Sequence, residues 1–203
     1  IHGLLEREIF VFADVPYRFK PYQSLVADPR NSIEYDDERA GIIDARVQQE
    51  GSDGKLLRRT DGTIYRVSLL EKLLIPALSK LVNFIPGGGI WMNTQRPDWN
   101  DANNALVGYG VSMVTLFYLR RYLLVLTDIL AHHAVTDSKV SREVAWLFES
   151  IEAVLGKYSS VIDGAITPAI RKQMMDELGQ VGETYRNEVY EGFCGDKSAL
   201  SKD

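Results

Sequence analysis

The chain is predicted to be mainly α-helical, with a short irregular and partly β N-terminal portion. Three observations carry that expectation. Over 68–84 ("SLLEKLLIPALSKLVNF"), Leu69, Leu73, Ala77 and Leu81 recur every four residues beside Leu70, Leu74 and Leu78, which builds one broad apolar face. Val140, Val144, Leu147, Ile151 and Leu155 form a second such stripe. Between them, from about Asn104 to His133, the sequence is apolar on nearly every side, as expected of a helix buried on most of its surface.

Taken in order, 7–26 ("REIFVFADVPYRFKPYQSLV") mixes a short apolar run with prolines and aromatics, the pattern of an extended, packed segment with a possible strand. The stretch "YDDERAGIIDARVQQEG" reads as a helix ending at Gly51, and "SDGKLLRRTDGTIYRVS" has two Asp-Gly pairs between short alternating runs, the mark of a hairpin. The helix over 68–84 should kink at Pro76, which lacks a backbone donor and crowds the preceding turn. Asp137 or Ser138 is the expected cap of the helix carrying the second stripe. A last helix is expected from about Thr167 to Phe193, with Pro168 at its first position and Gly195 beyond its end. Its wide polar face assigns it to the outside. The whole of 1–203 is read as one helical domain or part of one, with 1–67 the less regular part and 68–195 the helical part.

At 203 residues, 45% hydrophobic and 25% charged, the chain has the make-up of a globular protein able to bury a core. A net charge of -5 and a pI near 5.3 argue against a general nucleic-acid binder, which needs a basic face. The one cysteine, Cys194, excludes an internal disulfide and points weakly to a reducing, cytoplasmic compartment. The longest uncharged apolar run, Leu106 to Leu119, is shorter than the roughly 18–20 residues of a membrane span, and Arg120 and Arg121 put charge immediately beyond its end. No membrane association is expected.

The segment richest in chemistry is "TQRPDWNDANNALVGYG", residues 94–110. Asp98 after Pro97 can cap a helix, and Asp101 in the first turn suits the positive end of its dipole. That leaves Trp99, Asn100, Asn103 and Asn104 unexplained. A calcium loop starting at Asp98 fails, because Ala102 stands at its fifth position, Asn103 at the sixth where glycine is needed, and Tyr109 at the twelfth. Pro86 to Gly89 ("PGGG") lacks the Gly-Lys-Ser/Thr ending of a phosphate loop and is read as a flexible turn. A carbohydrate site needs a flat apolar platform, amides for hydroxyl groups and an acid for the leaving oxygen; Trp99, Asn100 and Asp101 supply all three in succession.

The stretch "DWNDANNALVGYGVS" resembles the Asp-Trp-Asn-Asp segment of the glycoside phosphorylases that act on cellobiose and chitobiose, and the similarity spans roughly residues 60–130. The resemblance implies a catalytic domain of the (α/α)6-barrel type, of which about five visible helices make only part, so a longer polypeptide or an altered, smaller unit is expected. It assigns the general acid to Asp101, sugar contact to Trp99 and a supporting or sugar-binding role to Asp98, with Asn100 and Arg96 as further substrate-binding candidates. For Arg96 a solvated loop charge, or an ion pair with Asp98 or Asp101, is at least an equal alternative. The family's phosphate-site residues have no matching positions here.

The activity so implied is inverting phosphorolysis of a β-linked disaccharide or oligosaccharide, a glycosyl transfer to phosphate that yields a sugar 1-phosphate. Inorganic phosphate is the co-substrate, and no metal or organic cofactor is expected. An inverting glycoside hydrolase is another option and would need a base about 6.5–9.5 Å from the acid. Asp98 is poorly placed for that, because side chains three apart at a helix start lie about 5–6 Å from each other. A non-catalytic helical module binding a sugar or a protein is the reading from a different class. The expected partners are an oligosaccharide and either the remainder of a longer polypeptide or further copies of the chain. His132 and His133 point about 100° apart on a helix and cannot readily grip one metal. The pair Arg120 and Arg121 most simply marks where a helix surfaces.

Overall fold

A computed structural model describes residues 2–93, 107–132, 139–162 and 164–200. The described residues are mainly helical with short strands. The less regular N-terminal part runs α1 (His2–Leu5), β1 (Phe10–Val11), β2 (Tyr17–Phe19), α2 (Tyr22–Ala27), β3 (Ile33–Tyr35) and α3 (Asp37–Glu50), followed by a 3-10 turn over Gly51–Lys55 and β4 (Arg66–Val67). The helical part holds α4 (Leu69–Leu81), α5 (Met113–His132), α6 (Arg142–Ile162) and α7 (Pro168–Glu191), with β5 (Phe84–Ile85), β6 (Gly89–Trp91), β7 (Val111–Ser112), β8 (Lys139–Ser141) and β9 (Lys197–Ala199) as short connectors. Strands pair antiparallel as β1 with β4, β2 with β3, β8 with β9, and β5-β6-β7 in one small sheet.

The helix ends follow from local chemistry. The Asp36 carboxylate accepts the Arg39 backbone N–H at 2.9 Å and opens α3, while Gly51, at φ 69°, closes it where the sequence places its end. Arg59 and Thr63 pair across the second Asp-Gly, and Arg58 bridges Ile64, so the expected hairpin forms there. Ser68 caps α4 by accepting from the Glu71 N–H, and Thr167 caps α7 with Pro168 at its first position. The helix α4 runs on through Pro76, and the Tyr122 hydroxyl donates to the Leu73 carbonyl in the turn before it.

The core is the meeting of α4, α6 and α7. Leu70, Leu74 and Leu78 of α4 pack with Val144, Leu147 and Ile151 of α6 and Met174 and Leu178 of α7, joined by Tyr65, Val67, Val140 and Phe193. The stripe read from Val140 to Leu155 therefore faces inward, although Val140 itself belongs to β8. Each fully buried aliphatic side chain stabilises the fold by about 1.5–3 kcal/mol before chain entropy is set against it.

Several expectations are corrected. The helix expected from about Asn104 begins, among the described residues, at Met113, because Gly108 takes φ 89° and Val111–Ser112 pairs with β6 instead. That helix is not buried on most sides: Leu119 and Leu126 are buried, whereas Val114, Phe117, Tyr118, Leu124 and Val125 are each more than half exposed. Pairing of β8 with β9 sets the start of α6 at Arg142, and Asp137 and Ser138, the expected caps, lie outside the described residues. Gly192, at φ 107°, ends α7 at Glu191, just short of the expected Phe193, and Gly195 lies beyond that end as expected. The last helix also does more than lie outside, since Met174, Leu178, Gly179 and Gly182 are buried where it packs on α6 and beneath Tyr22 of α2.

Candidate functional site

Arg96, Asp98, Trp99, Asn100 and Asp101 lie outside the described residues, and so does His133. The residues on either side of 94–106 are held together. The Gly108 N–H donates to the Met92 carbonyl at 2.6 Å, the Met92 N–H donates to the Gly110 carbonyl at 3.0 Å, and the Trp91 indole N–H donates to the Gly108 carbonyl at 2.8 Å. On the incoming side the buried Asn93 amide donates to the Asn83 side chain at 2.8 Å. On the outgoing side Gly108 is pressed against Pro29 and Arg30, and the Arg30 guanidinium lies 5.1 Å from the centre of the exposed Tyr109 ring.

Local sequence explains this junction. The glycines of Pro86–Gly89 turn β5 into β6, with Gly87 at φ 69° and Gly89 at φ 144°, and the Gly88 N–H donates back to the Ile85 carbonyl. Arg171 of α7 donates to the Pro86 carbonyl at 2.9 Å, so the turn expected to be flexible is tied to the helical core. Ser112 then opens α5, its hydroxyl accepting the Thr115 N–H at 3.0 Å.

Two further polar constellations were not legible in the sequence. In the first, the wholly buried Glu71 accepts the Ser141 N–H at 2.9 Å and the Ser141 hydroxyl, and Lys197 Nζ stands 3.2 Å from its carboxylate. Tyr65 shares a hydrogen bond with the same Ser141 hydroxyl. Burial pushes the Tyr65 phenol well above its ordinary value; the Ser141 hydrogen bond opposes that, and the carboxylates of Glu71 and Glu143 add to it. A serine beside a lysine and a carboxylate has the residue types of a nucleophile site. Ser141 and Glu71 are both fully shielded from solvent, however, and the cluster joins the N-terminal turn of α4 to the β8-β9 pair. Its work is structural.

The second constellation lines a cleft of about 200 Å³ between the β1–β2 connection and the end of α7, with Phe12, Tyr17, Arg18, Tyr185, Tyr190 and Phe193 among its walls. Asp14 is its carboxylate. Arg39 grips it through two nitrogens, at 2.9 and 2.8 Å, and Arg46 through one at 2.5 Å. Both oxygens being engaged, Asp14 clamps α3 to the β1–β2 connection and has no lone proton-transfer geometry. Arg18 lies over the Tyr190 ring and pairs with Asp36.

Among the described residues His132 is held by its own helix, its Nδ1 lying 2.8 Å from the Asp128 carbonyl and 3.2 Å from the Asp128 carboxylate. Arg120 and Arg121 are exposed, as expected of residues marking where a helix surfaces. The Cys194 thiol is exposed, with its pKa raised by desolvation first and by the neighbouring Glu143 next. Among the described residues no helix is long and apolar enough to cross a membrane. In comparisons with known proteins, no family model matches the chain and no curated protein is significantly similar to it.

Proposed function

We propose that the chain carries the acid-bearing portion of an (α/α)6-type carbohydrate-active domain that cleaves a β-linked disaccharide or oligosaccharide by inverting phosphorolysis. The observation behind this reading is the run Asp98-Trp99-Asn100-Asp101 with a long apolar helix after it. Asp101 donates a proton to the glycosidic oxygen as that bond breaks. Inorganic phosphate attacks the anomeric carbon from the opposite face, and the products are a sugar 1-phosphate and the released sugar. Since phosphate is the nucleophile, no second carboxylate has to activate water. Trp99 offers an apolar face to a sugar ring, and Asn100, Asp98 and Arg96 offer hydrogen bonds to its hydroxyls. Two features of the described residues support the reading. They are mainly helical, and the Met92–Gly108 hydrogen bond draws both flanks of 94–106 to one point beside the start of α5.

The test is product analysis with β-linked disaccharides in the presence and absence of inorganic phosphate. Phosphate-dependent release of sugar 1-phosphate, lost by roughly 10²–10⁴-fold in Asp101→Asn, is the expected result. Free sugar formed without phosphate identifies a hydrolase instead. A folded chain whose melting temperature rises with added oligosaccharide but which makes neither product is a binding module. Full activity in Asp101→Asn removes the acid from that residue.

A further inference from the structure

The exposed side of α5 carries a run of large apolar side chains that the core does not use. Val114, Tyr118, Arg121, Val125, Asp128 and His132 succeed one another at alternating steps of four and three, with Phe117 and Leu124 alongside. This is the spacing of a seam between two helices, on the side opposite the buried Leu119 and Leu126. Its apolar members are between 53% and 67% exposed. Each of the two aromatic rings alone has on the order of 100–150 Å² left to bury. Single-chain proteins seldom leave so continuous an apolar patch in water.

The charges on the seam select its occupant. Arg121 and Asp128 are seven residues apart, so they occupy equivalent places one repeat along. Asp128 is 73% exposed and, among the described residues, pairs with His132 of its own helix, and Arg121 has no ion-pair partner there. When two such helices run antiparallel about a two-fold axis between Leu124 and Val125, Arg121 of each copy faces Asp128 of the other. Phe117 then faces His132, Tyr118 faces Ala131, and Leu124 and Val125 meet at the centre. A parallel pairing sets Arg121 against Arg121 and Asp128 against Asp128. The same residues form one wall of a groove of about 440 Å³ between α4 and α5, where Tyr118, Arg121 and Val125 stand opposite Pro76, Ala77 and Lys80, giving an incoming helix a seat.

We propose that the exposed seam of α5 is a self-association surface, on which a second copy of this chain docks antiparallel through reciprocal Arg121–Asp128 pairs. A 20-residue helix is about 30 Å long.

Sedimentation velocity on the 203-residue chain from about 1 to about 100 µM, with far-UV circular dichroism to check folding, tests this directly. The wild type is expected to dimerise, and Arg121→Asp or Asp128→Arg alone to weaken the dimer by roughly tenfold or more, since each sets like charges together. The double variant Arg121→Asp/Asp128→Arg restores the reciprocal pairs and is expected to dimerise again. Both positions are exposed, so all three variants should fold. A wild type that stays monomeric over this range overturns the proposal. So do single reversals that leave the dimer intact, or a double variant no better than the singles.

Discussion

The Tyr22 ring lies directly over Gly179, so close that a Cβ on that glycine would stand 2.1 Å from the ring. Tyr22 is fixed there at two further points, its hydroxyl donating to Asp176 at 2.7 Å and its backbone N–H to Glu183 at 2.9 Å, all on α7. Inside an exposed helix, glycine to alanine stabilises by up to about 1 kcal/mol. Here the sign reverses, because the added methyl group has to displace an anchored ring. Gly179→Ala is expected to lose about 1–3 kcal/mol of stability, a melting temperature lower by several degrees. Gly156, in α6 with nothing within 4 Å of its would-be Cβ, is the control, and Gly156→Ala should raise the melting temperature.

The Glu71 cluster predicts non-additive stability. Glu71 stands three residues after Ser68, the spacing of a reciprocal helix cap, yet its carboxylate turns to Ser141 and Lys197. Removing one partner of a buried ion pair leaves the other uncompensated, at a cost of about 3–5 kcal/mol. Glu71→Gln should therefore lower the melting temperature by on the order of 10 °C in a chain of this size. Lys197→Met should cost at least as much, since it strands the wholly buried Glu71 carboxylate, whereas Glu71→Gln leaves a Lys197 that is 14% exposed and still approaches Glu8. The double variant is expected to lose less than the sum of the two. Additivity in denaturant melts would show that the two groups do not interact.

Acid sensitivity should be traceable to Asp36. Its pKa lies below the ordinary 3.8, chiefly because its carboxylate accepts the Arg39 N–H; desolvation opposes this, and the Arg18 guanidinium reinforces it. A carboxyl group with a lowered folded-state pKa contributes stability that is full above its unfolded value and is lost as pH falls through the folded one. Asp36→Asn keeps a capping oxygen but has no charge to titrate. The difference in melting temperature between wild type and Asp36→Asn should be constant at neutral pH and shrink as pH falls below about 4. A difference unchanged down to that range would mean that the cap alone matters.

How much could be read in advance depended on whether the deciding contact was local. The helices α4, α6 and α7 were legible because their apolar residues recur every three to four positions, and the starts of α4 and α7 are fixed by caps only three residues away, at Ser68 and Thr167. The start of α5 was not, because it is set by Val111 pairing with Trp91 across the sheet and by the backward turn at Gly108. Which side of α5 faces water was hidden for a related reason: with apolar residues all round, the sequence gives no direction, and only packing on α4 chooses Leu119 over Phe117. Glu71 and Ser141 are 70 positions apart, beyond any spacing rule. The candidate chemistry is the opposite case, since Trp99 and Asp101 were singled out by residue type and by resemblance to a family segment, and lie outside the described residues.

Gly108 connects the fold to the proposed chemistry. It sits at φ 89°, and a Cβ there would come within 2.9 Å of the Arg30 side chain and 3.0 Å of the Pro29 backbone. Gly108→Ala therefore combines a left-handed conformation that alanine resists with a clash against backbone that cannot easily give. The variant is expected to lose about 1–3 kcal/mol and to weaken the Met92–Gly108 hydrogen bond, which gathers the two flanks of 94–106. If Asp101 is the general acid, turnover of disaccharide with phosphate should fall further than the stability loss explains when assayed well below the melting temperature. Gly62→Ala supplies the comparison, because Gly62 is also left-handed, at φ 85°, but has open space where its Cβ would be and stands in the 59–63 turn. That variant should show a similar strain with unchanged kcat/KM. Equal turnover in the two variants would separate the Gly108 junction from the chemistry assigned to Asp101.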